Sequence, residues 1–146
     1  MAADPKSAGW RLDPQIERDT VPVVDLPLCR VLLMNDANYP WLLLVPRRPN
    51  ASEITDLDGV ERAQLMAEIA ETAQSLKAIT ACDKINVASL GNVVAQLHVH
   101  VIARFRGDVA WPKPVWGVVP PRVHPPDAAA KLITVLRQRL VLAAAT

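Results

Sequence analysis

Apolar positions along the chain fall into short runs and two long periodic stretches. Residues 28–34 (LCRVLLM) form an apolar run bounded by Pro27 and by Asn35-Asp36-Ala37-Asn38, a cluster with turn chemistry. The run Trp41-Leu42-Leu43-Leu44-Val45 follows and is stopped by Pro46. Two such runs joined by a short polar turn predict a β-hairpin buried on one or both faces. From Asp58 the period changes. Val60, Ala63, Met66, Ile69, Ala70, Ala73, Leu76 and Ile79 recur at helical spacing, and Asp58 with Glu61 forms a capping-box pattern, so a helix is expected over 58–80. Lys84 to Ala88 alternates, with Ile85 and Val87 on one face, and predicts a strand; Ser89-Leu90-Gly91-Asn92 is a turn. Gln96 to Arg104 alternates cleanly and predicts another strand. Residues 127–144 carry Ala129, Leu132, Ile133, Leu136, Leu140 and Ala143 at helical spacing and predict a closing helix.

Strands grouped around one long helix, with connections too short for parallel crossovers, predict an α+β fold. The expected architecture is an antiparallel sheet of about five strands with one long helix and a C-terminal helix. A length of 146 residues fits one domain spanning 1–146. Its informative part is 28–106, followed by a Trp- and Pro-rich segment and the last helix over 107–146. Prolines crowd from Pro112 to Pro126 around Trp111 and Trp116, which predicts an extended, ordered loop.

Composition narrows the function classes. A hydrophobic fraction of 51% excludes a disordered tail, and a net charge of +1 from mixed residues gives no argument for nucleic-acid binding or membrane docking. A small anionic substrate stays open, because local charge can differ from net charge. No apolar run approaches the roughly 20 residues that span a bilayer. Met1 to Gly9 lacks a hydrophobic signal core, and Cys29 and Cys82 form no CxxC pair, so a reducing, cytoplasmic setting is expected.

The strand from Gln96 to Arg104 carries the candidate chemistry. Leu97, Val99 and Val101 point to one face, while Gln96, His98, His100 and Ile102 point to the other, joined by Arg104. Neighbours in that polar row lie roughly 7 Å apart, within reach of one ligand. Three readings are open on these residues alone: structural histidines, a His-x-His pair offered to zinc, or a catalytic pair. Zinc needs a third protein ligand, and neither His124 nor a cysteine is placed by sequence to supply it. Neither a metal nor a cofactor is assigned.

The segment QLHVHVIAR resembles the signature of the histidine triad (HIT) family, His-φ-His-φ-His-φ-φ with φ apolar. Gln96, His98 and His100 stand at the three triad positions. Asn86, Gly91 and Asn92 fall where the family has an Asn, a Gly and a Gln upstream of the triad. The Met34-Asn35-Asp36 turn falls where a ribose-binding Asn or Asp stands, and LLLVPRR matches a strand ending in Pro and basic residues. The resemblance covers residues 28 to 106.

The resemblance implies that His98 is the nucleophile, attacking the α-phosphorus of a nucleotide ester, anhydride or phosphoramidate to form a nucleotidyl-histidine. It implies His100, Asn92, Gln96 and Gly91 around the phosphate, and Asn35, Asp36 and Asn86 around the nucleoside. A backbone carbonyl is expected to hold the His98 tautomer. Asn35-Asp36 reads equally well as an Asx turn. Arg104, Arg47 and Arg48 read either as phosphate-side charge or as structural and surface groups. Trp116 and Trp111 read as base-stacking groups or as anchors of an irregular segment. A nucleotide is the implied partner and a homodimer with joined sheets the implied assembly. The chain departs from the family pattern at Gln96, which replaces the first histidine, and at Val93, where a hydroxyl residue is common. Those departures motivate the alternative of a nucleotide-binding module with little turnover.

Overall fold

The computed structural model describes residues 3–144. A short helix α1 (Pro14–Asp19) leads into the strands β1 (Thr20–Asp25), β2 (Cys29–Met34) and β3 (Trp41–Pro46). The long helix α2 (Gly59–Thr80) is followed by β4 (Lys84–Ala88) and β5 (Val99–Arg104), and α3 (Ala128–Ala144) closes the chain. All strand pairs are antiparallel, in the order β1-β2-β3-β5-β4. This is the α+β architecture expected from the pattern, with a five-stranded sheet, the long helix and the terminal helix in place.

The predicted hairpin is β2–β3, with Leu33 opposite Leu42 and Cys29 opposite Pro46. The fifth strand, β1, was not located by the hydrophobic pattern. Its sequence TVPVVD contains Pro22, and the ladder to β2 is irregular between Pro22 and Val24, as suits a proline-bearing edge strand. Helix α1 is too short to show a period, but Asp13 caps it through a bond from the Gln15 N–H and Pro14 opens it. That Asp-Pro signal is local and legible.

Helix α2 begins where expected, with Asp58 and Glu61 exchanging both bonds of the capping box. Its buried face differs from the predicted one. Val60 is 80% exposed and Met66 65% exposed, while Glu61, Leu65, Glu68, Ile69, Thr72, Ser75 and Leu76 are buried. The acidic side chains go inward because each meets donors there. Glu68 accepts the main-chain N–H groups of Leu28 and Cys29 at 2.7 and 2.8 Å, and Glu61 takes the Arg48 guanidinium at 2.6 Å. Satisfied polar groups can thus occupy a core-facing stripe that hydropathy alone assigns to neighbours.

The sheet has two differently covered faces. Leu42, Leu44, Val99, Val101 and Ala103 face α2 and α3, whose Leu65, Leu76, Leu136 and Leu140 complete the larger core. On the opposite face Leu32, Leu43, Trp41, Val45 and Ile102 are covered by Ile16 from α1, by Trp10 and Leu12, and by Ala110 and Val115 from the proline-rich segment. The histidines lie on this second face. No helix among the described residues is long and apolar enough to cross a membrane.

Candidate active site

Strand β5 places His100 in the ladder opposite Leu43 and Ala88. His98 and Gln96 lie just before it: the Leu97 N–H donates to the Ala51 carbonyl instead of to β3, so the chain leaves the sheet there. The predicted strand 96–104 is therefore three residues shorter at its start. The alternation nonetheless persists through His98, because both imidazoles sit on the same side, their centroids 5.0 Å apart. Both are buried, at 8% and 5% exposure, so a reacting group there would be largely screened from water.

Each ring is held in one orientation by a different partner. His98 Nδ1 lies 2.6 Å from the Gln96 carbonyl oxygen. A carbonyl only accepts, so Nδ1 carries the proton and Nε2 is left with its lone pair. For His100 the roles reverse. The Trp41 indole N–H donates to His100 Nδ1 at 3.0 Å, which makes that nitrogen an acceptor and places the neutral ring's proton on Nε2. Burial, and secondarily the neighbouring His98, push the His100 pKa down to about 4, so this ring is a neutral N–H donor at pH 7. Protonation of its Nδ1 would also set an N–H against the Trp41 N–H. The pair thus offers one nucleophilic nitrogen beside one neutral donor.

Trp116 from the proline-rich segment stands edge-on to both His100 and Trp41, at 5.0 and 5.8 Å between centroids. It is 38% exposed, so one part of the ring anchors the loop while another faces solvent beside the imidazoles. Gly91 adopts a left-handed backbone (φ +81°) at the turn before the histidines, a conformation that favours glycine. Asn92 beside it is exposed, and its side chain has no hydrogen-bond partner among the described residues. Val93 is 94% exposed.

Other residues singled out by the sequence are engaged elsewhere. The Gln96 carboxamide accepts from the Asp13 N–H at 2.9 Å and donates to the Arg11 carbonyl at 2.8 Å, so its polar atoms are engaged by the N-terminal segment. Arg104 is 1% exposed and binds Asp108 through two nitrogens, Asn86 Oδ1 at 2.8 Å and the Lys113 carbonyl at 2.8 Å. Arg104 and Asn86 are therefore partners of each other, clamping the base of the loop that carries Trp116. Burial alone would raise the Asp108 carboxyl, but hydrogen bonds from Arg104 and from the Phe105, Trp111 and Ala110 N–H groups hold it below its ordinary value. Trp111 lies against the Arg104 guanidinium, 5.8 Å from its centroid.

At the β2–β3 turn, Asp36 is buried and accepts from the Asn38 N–H and side chain and from the Arg122 N–H, which is the Asx-turn reading. Asn35 is exposed and its side chain makes one long contact, 3.4 Å, to the Arg18 carbonyl. Arg47 is bound to the Leu26 and Pro27 carbonyls and to Asp25, and Arg48 to Asp4 and Glu61. His124 contacts the Met34 carbonyl at 3.0 Å. Among the described residues no group of three or more His, Cys, Asp or Glu is gathered to hold a metal ion.

Trp41 is the site residue that sequence reasoning missed. In the sequence it is one apolar member of a strand. Its contact with His100 depends on the β3–β5 register across 59 positions, which no local pattern reports.

The HIT domain family model matches residues 15–107. Three solved structures are similar over nearly the whole chain. A histidine triad protein from Bradyrhizobium japonicum is 56% identical, with 90% of this chain and 98% of that one covered and a TM-score of 0.89. One from Sinorhizobium meliloti 1021 is 41% identical, covering 91% and 98%, with a TM-score of 0.88. A third, from Marinobacter aquaeolei VT8, is 38% identical, covering 91% and 97%, at 0.88. No curated protein matches the chain.

Proposed function

The chain belongs to the histidine triad family, and on that premise we propose that it is a nucleotide hydrolase or nucleotidyltransferase using His98 as nucleophile. The observation that carries this reading is the pair of fixed tautomers: a free Nε2 on His98 beside an Nε2–H on His100. Family membership supports nucleotide binding and phosphorus chemistry; the site residues supply the proposed steps.

His98 Nε2 donates its lone pair to the α-phosphorus of a nucleoside phosphoramidate or dinucleoside polyphosphate. The N–P bond forms as the bond from phosphorus to the leaving group breaks, and the departing amine or phosphate takes up a proton from solvent. The imidazole becomes cationic, and its Nδ1–H bond to the Gln96 carbonyl opposes that charge. Water then attacks the same phosphorus, releases the nucleotide, gives up its proton and restores neutral His98. His100 Nε2–H and the unpaired Asn92 amide donate to the non-bridging oxygens, with the Gly91 turn shaping the approach. Donors that are already oriented contribute most to such a step. Asn35 is the nucleoside-side candidate, with Asp36 as the turn that holds it. The exposed part of Trp116 offers a flat apolar surface to the base. Arg104 and Gln96 are assigned to support and not to ligand contact, because their polar atoms are already engaged, and Asn86 joins them through the bond that its Oδ1 accepts from Arg104.

A homodimer with one continuous sheet is part of the same proposal, and its setting a cytoplasmic one. β4 is an edge strand with Val87 half exposed, and the outward face of α2 beside it carries Val60, Ala63, Met66 and Ala70. An open strand edge next to an apolar helix face suits pairing with a second copy.

The test compares wild type and His98→Ala on a fluorogenic adenosine phosphoramidate and on diadenosine polyphosphates. The account expects turnover to fall by at least about a thousandfold with the fold retained, as for loss of other enzymic nucleophiles. Equal turnover in the two proteins would sink the covalent mechanism. Absence of turnover in both, with nucleotide still bound, would leave the binding-module reading motivated by Gln96 and Val93.

A further inference from the structure

The first triad position holds an amide, and that amide is bonded to a segment more than eighty residues away. Gln96 Oε1 accepts the Asp13 N–H at 2.9 Å, while its Nε2 donates to the Arg11 carbonyl at 2.8 Å. A carboxamide carries an acceptor and a donor on one carbon, which is what a main-chain N–H and C=O two residues apart require. Imidazole does not present that arrangement. The main-chain carbonyl of the same residue is the one that holds His98 Nδ1, at 2.6 Å. Gln96 thus connects the N-terminal arm and the nucleophile's ring through one residue.

The arm itself is firmly seated. Ile16 is buried in the second apolar cluster, with Trp10 and Leu12 packed against it. Upstream, Asp4 pairs with Arg48, and Lys6 with Asp58 and Glu61. Downstream, the Asp19 carbonyl accepts the Asn35 N–H. Residues 96–98 precede the β5 ladder, so the Gln96–Leu97 peptide has no ladder partner; the Leu97 N–H donates to Ala51, Ser89 Oγ donates to the His98 carbonyl, and the arm holds the Gln96 side chain.

We propose that the N-terminal arm, residues 10–19, is a positioning element of the His98 site, acting through the Gln96 carboxamide on the carbonyl that sets the His98 tautomer. The residue replacing the family's first histidine is then a positioning residue. Where the family pattern has a third imidazole, this chain has an amide bonded to the arm. This inference rests on His98 being the reactive ring, and its test is chosen to be readable without turnover.

Gln96→Ala removes both hydrogen bonds of the carboxamide and leaves the main chain intact. Amide hydrogen exchange over residues 10–19 and ¹⁵N NMR of the histidine rings are measured on the full chain, alongside kcat and KM. Expected are at least about tenfold faster exchange in the arm, loss of the single Nδ1–H tautomer of His98, and kcat lowered about tenfold with KM moved less than about twofold. Small misplacements of a reacting group cost up to about a hundredfold, so the expected loss is moderate. Gln96→Glu keeps the acceptor for Asp13 and loses the donor to Arg11, and it should fall between the two; it also serves if the alanine variant does not fold. An arm that exchanges faster while His98 keeps its tautomer overturns the coupling. An arm that stays protected in both variants overturns the tether. If wild type lacks turnover, the reading of function fails, while the tautomer and exchange results still decide the coupling.

Discussion

The two faces of the sheet are built from alternate residues of the same strands, and they differ in what they spend their burial on. On the helix side, Leu42, Leu44, Val99, Val101 and Ala103 contribute only apolar area, and the cover is two long helices. On the other side, His98, His100 and Trp41 are also buried, but under loops and the N-terminal arm, with Trp116 half-exposed beside them, and the Nδ1 atom of each imidazole has a fixed partner. Stability resides on the first face and chemistry on the second. One strand, β5, serves both because successive side chains point in opposite directions.

That division can be broken at either face. The largest stability effect is expected from Leu44→Ala, fully buried against the helices: a loss of about 3 kcal/mol, seen as a lowered denaturant midpoint, with the kcat of the surviving folded protein near wild type. A comparable activity loss there would mean that the faces are not independent.

A second effect appears only in acid. The His100 pKa is lowered to about 4 from 6.5 by burial and by His98, so between those values the unfolded chain takes up a proton that the folded chain refuses. This penalty is absent above about pH 6.5, grows as pH falls, and is complete below about pH 4, where it costs roughly 3 kcal/mol. His100→Gln removes the titrating ring, and its stability should fall less steeply than wild type between pH 6.5 and pH 4 in urea titrations. An unchanged slope would assign the acid loss to other groups.

The smallest effect tests Trp41. Trp41→Phe keeps most of the buried area and deletes the N–H to His100 Nδ1. The His100 proton is then free to move between the ring nitrogens, and kcat should fall about tenfold, a cost of about 1.4 kcal/mol, of the size of one hydrogen bond. ¹⁵N spectra should show mixed His100 tautomers; a single Nε2–H form in the variant would remove Trp41 from the account.

The same division explains what was legible in the sequence. Period-two alternation from Gln96 to Arg104 put the two histidines on one face, and the Asp58–Glu61 pair marked the start of α2, because both signals are local. The carbonyl expected to hold the His98 tautomer was found two residues away, at Gln96. Long-range pairings were not legible. Gln96 reaches back to Arg11 and Asp13, Arg104 meets Asn86 across the β4–β5 pairing, and Trp41 meets His100 through strand register. Helix α2 misled the hydrophobic pattern because its inward Glu61 and Glu68 are satisfied by groups from elsewhere in the chain.

The central claim is that His98 forms a bond to phosphorus. The measurement that tests it most directly is covalent labelling with an α-³²P nucleotide substrate, quenched by denaturation and followed by peptide mapping. The account predicts an acid-labile, alkali-stable label on the peptide containing His98 in wild type and none in His98→Ala. Label retained by the alanine variant, or full turnover by wild type with no label at the earliest quench times, would contradict it.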